Sequence, residues 1–300
     1  MCSSDLEATP QRAINAGFDR FGSLDPTDGG VTSRYSVATE WQHSTGQVMT
    51  KATAYALRYN LDLISNFTFF LDAPVRGDQQ EQVDRRFVSG GKVFQRRISR
   101  WGRYTVQNTY GVQVRNDQIG TVALYHTEAR RRLDTRSNDN AMVTSAGIYA
   151  QNEIEWHSWL RSTVGLRSDA SRYRVDDRLI ALNSGVATAS IVSPKAGLTM
   201  GPWKSTEVYV NAGTGFHSND ARGTTLRVYA NGEAAEPVTP LVRAKGAELG
   251  VRTVRIPHLQ TTVAIWMMRL ASELVYNGDV GASEPGPGSR RSGIEIANYY

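Results

Sequence analysis

Cysteine is almost missing from this chain of 300 residues: only Cys2 is present, which excludes a disulfide framework and a thiolate metal cluster. Long apolar runs are missing too. The longest strongly apolar stretch, Val263 to Met268, falls far short of the ~20 residues that a membrane-spanning helix needs. The opening MCSSDLEATPQR has neither the basic nor the apolar segment of a secretory signal. The motifs HExxH, CxxC and GxSxG are absent, which removes the commonest signatures of zinc hydrolases, thiol redox sites and serine hydrolases. No repeat of about 40 to 50 residues marks a propeller.

Charge is present but not gathered. The net charge of +5 comes from arginines spread along the whole chain, many alternating with apolar residues, so no nucleic-acid-binding stripe forms. The run Arg130, Arg131, Arg132 reads as a solvated surface. Of the five histidines, His43, His157 and His258 fall where short turns are expected, and His126 and His217 on or near long loops. They do not converge on a metal or catalytic centre, and neither a cofactor nor enzyme chemistry is expected.

What the sequence has in quantity is alternation. In LRSTVGLRSD, Leu160, Ser162, Val164 and Leu166 fall on one side of an extended chain, with Arg161, Thr163, Gly165, Arg167 and Asp169 on the other. Tyr35, Val37, Thr39 and Trp41 likewise oppose Arg34, Ser36, Ala38 and Glu40, and Leu57, Tyr59, Leu61 and Leu63 oppose Arg58, Asn60 and Asp62. Successive strand side chains point to opposite faces, so period 2 predicts half-exposed strands. About twelve are expected, near residues 11–21, 31–43, 47–65, 85–98, 103–116, 141–156, 160–175, 189–200, 205–217, 243–255, 260–275 and 290–300. No helical stripe interrupts them, so the sheet should be antiparallel with sequential neighbours paired.

Alternation alone leaves two folds open. A soluble sandwich turns its aliphatic side toward a core, whereas a membrane barrel turns it toward lipid and keeps the arginines around water. Even a mean hydropathy of −0.40 does not separate them, because a barrel needs only every second residue apolar. The connections discriminate better. Short turns near Ser44–Gly46, Ser99–Gly102, His157–Trp159, Gly201–Lys204 and Ile256–Leu259 alternate with long polar segments at Gly22–Gly30, Asn66–Asp84, Asp117–Asn140, Asp176–Thr188, His217–Val242 and Asn277–Arg290. Strict alternation puts all short turns at one end of a meander and all long loops at the other, as in outer-membrane barrels.

The tryptophans favour the same fold. Trp41, Trp101, Trp156, Trp159 and Trp203 all lie within a few residues of a short turn, whereas Trp266 does not. Indole settles between hydrocarbon and water, with its ring buried and its N–H wet. These five are read as one membrane-interface girdle.

The segments SPKAGL (Ser193–Leu198), EVYVNAGTGFHSNDARGTT (Glu207–Thr225), PLVRAKGAELGVR (Pro240–Arg252) and GIYAQNEIEW (Gly147–Trp156) together resemble the barrel domain of TonB-dependent outer-membrane receptors. That resemblance covers nearly the whole chain and implies a 22-stranded barrel plugged by an N-terminal domain. It implies a Gram-negative outer-membrane location, contact with outer-membrane lipid, and uptake of a scarce small ligand such as a ferric siderophore or vitamin, powered through TonB. Against the family pattern, no TonB box or plug domain is found, so contact with TonB is expected to run through a plug missing from this chain. The expected fold is therefore an all-β, antiparallel, up-and-down transmembrane barrel, partial, of about 12 strands. Residues 1–10 are read as a non-native or disordered stretch and residues 11–300 as barrel.

On this reading Arg58, Asp62, Glu153, Glu155, Arg161, Arg167, Glu248 and Arg252 face the lumen. The densest polar cluster is His217, Asn219, Asp220 and Arg222, where a strand gives way to the longest loop. It is the candidate ligand-binding site, with turn formation and pairing to lumen arginines as the alternative. The competing functional classes are a surface module that recognises glycans, a self-contained pore and an outer-membrane enzyme, the last disfavoured by the missing nucleophile motif.

Overall fold

The structure, a computed structural model, describes residues 9–277 and 282–300, with the side chains of 274–277 and 282–285 excepted. A short helix α1 (Gln11–Asn15) precedes ten long strands: β1 (Gly29–Thr45), β2 (Val48–Ser65), β3 (Gln80–Trp101), β4 (Tyr104–Glu128), β5 (Arg131–His157), β6 (Leu160–Asp177), β7 (Gly185–Trp203), β8 (Thr206–Ser218), β9 (Leu241–Ile256) and β10 (Leu259–Leu270). A small hairpin, β11 (Glu273–Asn277) and β12 (Ala282–Gly286), leads to β13 (Ser289–Tyr299). The main sheet has eleven strands in the order β1 to β10 and then β13. Every pairing in it is antiparallel between chain neighbours, and β1 and β13 are its two edges. The sheet does not close, and among the described residues no helix is long and apolar enough to cross a membrane.

The turns fix the registers. The β1–β2 turn pairs Thr45 with Val48 around Gly46, whose φ of 55° suits the left-handed region that glycine enters freely. All five short turns fall where the sequence puts them.

Two expectations need correction. Residues 11–21 do not form a strand: Gln11–Asn15 is one turn of helix. Pro10 supplies the fixed φ that suits a helix start, the residues after it include good helix formers, and Gly17 at φ 95° ends the turn. Residues 117–140 are not a long loop either. β4 and β5 run on as a hairpin to the turn at Ala129–Arg130, both at positive φ. Bulges interrupt their outer ends at Ile119/Val122, Leu124/Tyr125 and His126/Thr127, so the strict alternation that announces a strand is lost there. The expected disorder of residues 1–10 falls mostly outside the described residues.

Cross-strand partners share a face, so registers sort the side chains into two sets. One face carries Val37, Val93, Val112, Ile148, Val164, Leu166, Val210, Leu249, Ile265 and Ile294. These stay open to the surroundings: Val164 and Ile148 are 58% and 62% exposed. Among the described residues no second layer of protein covers this aliphatic face. The opposite, polar face holds Glu153, Arg161, Arg167 and Asp169.

Buried side chains concentrate at the long-loop end. Tyr173 and Val175 on β6, with Ala141 on β5, pack under Ala221 of the β8–β9 loop, joined by Ile119, Val143 and Ala187. That loop therefore folds over the polar face. The alternation along β6 shows it: Asp169, Ser171, Tyr173 and Val175 are buried, while Ala170, Arg172 and Arg174 between them are exposed.

Candidate functional site

The long-loop end of the polar face is a built polar surface. The β8–β9 loop is closed at its base by Asn219 and tied to other segments by Tyr173 and Asn183. Asn219 donates from its Nδ2 to the Thr239 carbonyl at 2.8 Å, and its backbone N–H reaches the Pro240 carbonyl at 3.0 Å. The Tyr173 hydroxyl donates to the same Pro240 carbonyl at 3.3 Å. Farther along, Asn183 accepts backbone N–H bonds from Arg227 and Val228 through Oδ1 and donates to Asp177 and to the Val228 carbonyl.

Within this loop Asp220 and Arg222 form a pair two residues apart. Asp220 accepts from the Arg222 backbone N–H at 2.9 Å, from Nε at 3.1 Å and from Nη2 at 2.7 Å. Partial desolvation opposes ionisation of Asp220, yet the Arg222 hydrogen bonds and charge hold its carboxyl below the usual carboxylate range. The pair does not stand alone. Arg86, hydrogen-bonded to Asp84 on β3, also pulls Asp220 down, and Arg222 feels both Asp139 and Asp84. Charges on β3, β5 and the β8–β9 loop thus address one another across the polar face of the sheet.

Asp139 is the outlier. Burial pushes its carboxyl up to about 6, against the lowering pull of Arg222, with Asp177, Asp220 and Asp176 adding to the rise. Sequence alone missed it, because Asp139 fell in the stretch read as a loop. The tell-tale signal was Arg-Tyr-Arg-Val at Arg172–Val175, which carries alternation beyond the aliphatic band and implies a cover over Tyr173.

The four predicted binding residues are brought together only in part. His217 stands beside Val242 in the β8–β9 ladder on the polar face. Asn219 is buried as a loop anchor, and Asp220 and Arg222 are largely used by each other. Turn formation and pairing therefore account for most of this cluster, and the pairing is within the loop.

Of the residues expected in the lumen, six share the polar face. Arg161 pairs with Glu153 at 3.7 Å, Arg167 with Asp169 at 2.6 Å, and Arg252 with Glu207. Glu248 accepts from the Tyr209 hydroxyl at 2.7 Å, and Glu155 lies opposite Arg161. Tyr209 lies flat across Gly250, and Tyr149 across Gly111, where any Cβ would collide with the ring; a bare glycine lets an aromatic ring cross the neighbouring strand.

Arg58 and Asp62 are corrections. Register sets Arg58 opposite Tyr35 and Phe87, and Asp62 opposite Val31 and Val83, all on the aliphatic face, where Asp62 pairs with Arg85. β2 is apolar on both sides: Ala52, Ala54 and Ala56 line the aliphatic face below Arg58, while Leu57, Tyr59 and Leu61 point the other way. The bulky leucines suggested the lipid side, but a one-residue choice of register inverts every side chain, and the Gly46 turn makes that choice.

Trp41, Trp101 and Trp203 are 56%, 66% and 50% exposed at the short-turn end. Trp159 tilts against Trp203 with centroids 6.2 Å apart. Trp156 meets Tyr104 edge-on and donates to Ser162 Oγ at 2.8 Å. The histidines take structural parts: buried His126 bonds Asp134 and the Gly77 carbonyl, and His43 and His157 stack on Trp41 and Trp159. Among the described residues no group of three His, Cys, Asp or Glu side chains is placed to hold a metal ion. A cleft of about 390 Å³ at the short-turn end is lined by Arg103, Glu155, Arg161 and Glu207 among others. The whole arrangement offers hydrogen bonds and charge, the chemistry of binding.

The family model "TonB dependent receptor-like, beta-barrel" matches residues 4–300. The chain belongs to this family. No curated protein sequence matches it, but solved structures do. The ferric citrate transporter FecA is similar with a TM-score of 0.74 at 14% identity, over 96% of this chain and 42% of that one. The ferric-catecholate import receptor Fiu from E. coli K12 matches at 0.69 and 13%, over 91% and 45%, and BauA, the ferric preacinetobactin receptor of Acinetobacter baumannii, at 0.66 and 11%, over 89% and 42%. This chain thus spans less than half the length of those receptors. The family and fold are those of transport receptors rather than enzymes, and in a TonB-dependent receptor the eleven strands form one sector of a larger barrel wall.

Proposed function

We propose that this chain is a wall sector of a Gram-negative outer-membrane receptor that takes up a scarce small ligand, such as a ferric siderophore, with energy supplied through TonB. The aliphatic face meets lipid, and the polar face lines the aqueous interior beside a plug. One observation carries the reading: among the described residues the aliphatic side chains of the eleven-stranded sheet stay uncovered, and on the short-turn side of β1 to β7 they end at exposed tryptophans. In a soluble protein so large an apolar patch demands a partner, and hydrocarbon bordered by an aromatic girdle is that partner. Iron-chelate receptors among the structural neighbours support the ligand class.

The β8–β9 loop, with His217, Asn219, Asp220 and Arg222, is proposed as part of the ligand vestibule, the Asp220–Arg222 pair holding its shape. An unclosed sheet argues against a self-contained pore. The test is the full-length receptor: it is expected to fold only in detergent or lipid, to migrate differently when heated, and to restore growth of a receptor-deleted strain on one ferric chelate of a panel under iron limitation. A monomer stable in detergent-free buffer overturns the proposal.

A further inference from the structure

On the aliphatic face, β8, β9, β10 and β13 form a regular band. Ala212, Val210 and Val208 stand beside Ala247, Leu249 and Val251, then Met267, Ile265 and Val263, then Ile294 and Ile296. At the short-turn end the band stops at Thr206, Thr253, Thr261 and Asn298. At the long-loop end it stops at one row of directly paired residues: Thr214 opposite Lys245, Lys245 opposite Arg269, and Arg269 opposite Arg290. From Lys245 to Thr253 the band covers roughly 26 Å along the strand at ~3.3 Å per residue.

Three cations therefore stand side by side on neighbouring strands. Paired Cβ atoms lie about 5 Å apart, and like charges there repel. Other cations of the sheet are answered by carboxylates, Lys51 by Glu40 at 2.7 Å, Arg161 by Glu153 and Arg252 by Glu207. Among the described residues Lys245, Arg269 and Arg290 have no carboxylate partner, and all three are exposed. Arg243, two residues farther out on the same face, is pinned by hydrogen bonds to the Val192 carbonyl at 2.8 Å and to Thr214 Oγ1 at 3.3 Å, which extends the positive strip.

We infer that Lys245, Arg269 and Arg290 form a docking site for the phosphate-bearing headgroup of an outer-leaflet lipid, whose acyl chains lie along the Leu249–Ile265–Ile294 band below. The inference rests on the proposed membrane orientation. An anion seated on the row cancels the repulsion, and only an amphiphile places phosphate at this height while covering the band. Arginine and lysine at the hydrocarbon boundary hold their heads level with such phosphates.

The full-length receptor, in phosphatidylcholine nanodiscs, is titrated with bisphosphorylated lipid A, with dephosphorylated lipid A and with inorganic phosphate, and the thermal midpoint is read. Lipid A with its phosphates is expected to raise the midpoint, and the other two probes to leave it unchanged. K245Q/R269Q/R290Q is expected to weaken the lipid A response about 100-fold, from a factor of about five for each cation at a charged surface. K245R/R269K/R290K, which keeps the charge, retains the response. An unaltered response in the glutamine variant overturns the inference, as does equal stabilisation by dephosphorylated lipid A or by inorganic phosphate. Failure of the unaltered receptor to insert into nanodiscs at all sinks the membrane reading itself, a distinct result.

Discussion

The short-turn half and the long-loop half of this sheet are held together by different physics. In the first, from the tryptophan row to the Lys245 level, there is almost no protein core. The buried aliphatic residues there are few, such as Val106 and Ala264, and the strands are joined by their backbone ladders and by tyrosines laid across glycines. In the second, Tyr173, Val175, Ala141, Ala221 and Val238 are buried as in a soluble domain. Buried Gln79 there donates to Thr27 Oγ1 at 2.6 Å and to Asp28 at 3.0 Å and accepts from the Arg130 backbone N–H at 2.9 Å. The wall relies on a solvent it does not contain, while the mouth builds its own interior. A substitution should therefore act by quite different rules in the two halves.

The sharpest break comes from Tyr173→Ala. Removing a buried aromatic leaves a cavity beneath the loop and is expected to remove about 3–5 kcal/mol from the mouth, seen as rapid proteolysis within residues 219–240 while heat-modifiable migration of the full-length receptor persists. If the migration is lost as well, the two halves are one cooperative unit. Next in size is Leu249→Arg, which puts a charge on the aliphatic face near the middle of the band and is expected to destabilise the receptor by about 2–4 kcal/mol in lipid. Denaturant titration in vesicles measures it, and no effect there means that the face does not meet hydrocarbon.

Asp139 probes the mouth alone. Its carboxyl is raised in the folded state to about 6 from its ordinary 3.8, so its contribution favours folding below pH 4 and is lost as pH rises through 6. Glu81 has the opposite sign: hydrogen bonds from Arg132 at 2.6 and 2.7 Å hold it below the usual carboxylate range, so its contribution is present at neutral pH and lost in acid. Between pH 5 and 7, the protection of the β8–β9 loop from hydrogen exchange, relative to the intrinsic base-catalysed rate, should therefore fall as pH rises, and Asp139→Asn should flatten that slope. The smallest effect is expected for Arg58→Leu, within about 0.5 kcal/mol for a residue at an exposed edge of the aliphatic face; a loss of several times that size would return Arg58 to the interior.

Much of the wall was legible because the wall obeys a one-dimensional rule. Alternation such as Val164-Gly165-Leu166-Arg167 and the five short turns mark strands, faces and ends, and the tryptophans mark one boundary. The mouth was less so, because contact between distant segments governs it. In Asp117–Asn140 bulges break the period-2 pattern that announces strands, and Asn183 gains meaning only when Arg227 and Val228 arrive beside it. β2 shows the limit of the alternation rule: with alanines on one side and leucines on the other, composition cannot choose a face, and register does. Of the candidate site, the position of the His217–Arg222 segment was legible. Its internal pairing and Asp139 were not.

The β4–β5 hairpin has a mechanical consequence. The aliphatic band on β4 gives out at Asn116, yet the strand continues to Glu128, roughly 40 Å farther at ~3.3 Å per residue. Given the proposed orientation, that arm is a stiff mast standing clear of the bilayer, β4 braced by β3 as far as His126 and β5 by β6 as far as Asp139. A solute drifting toward the cell would touch this mast before it reached the pore, so the first encounter belongs to backbone-braced strand rather than to a floppy loop.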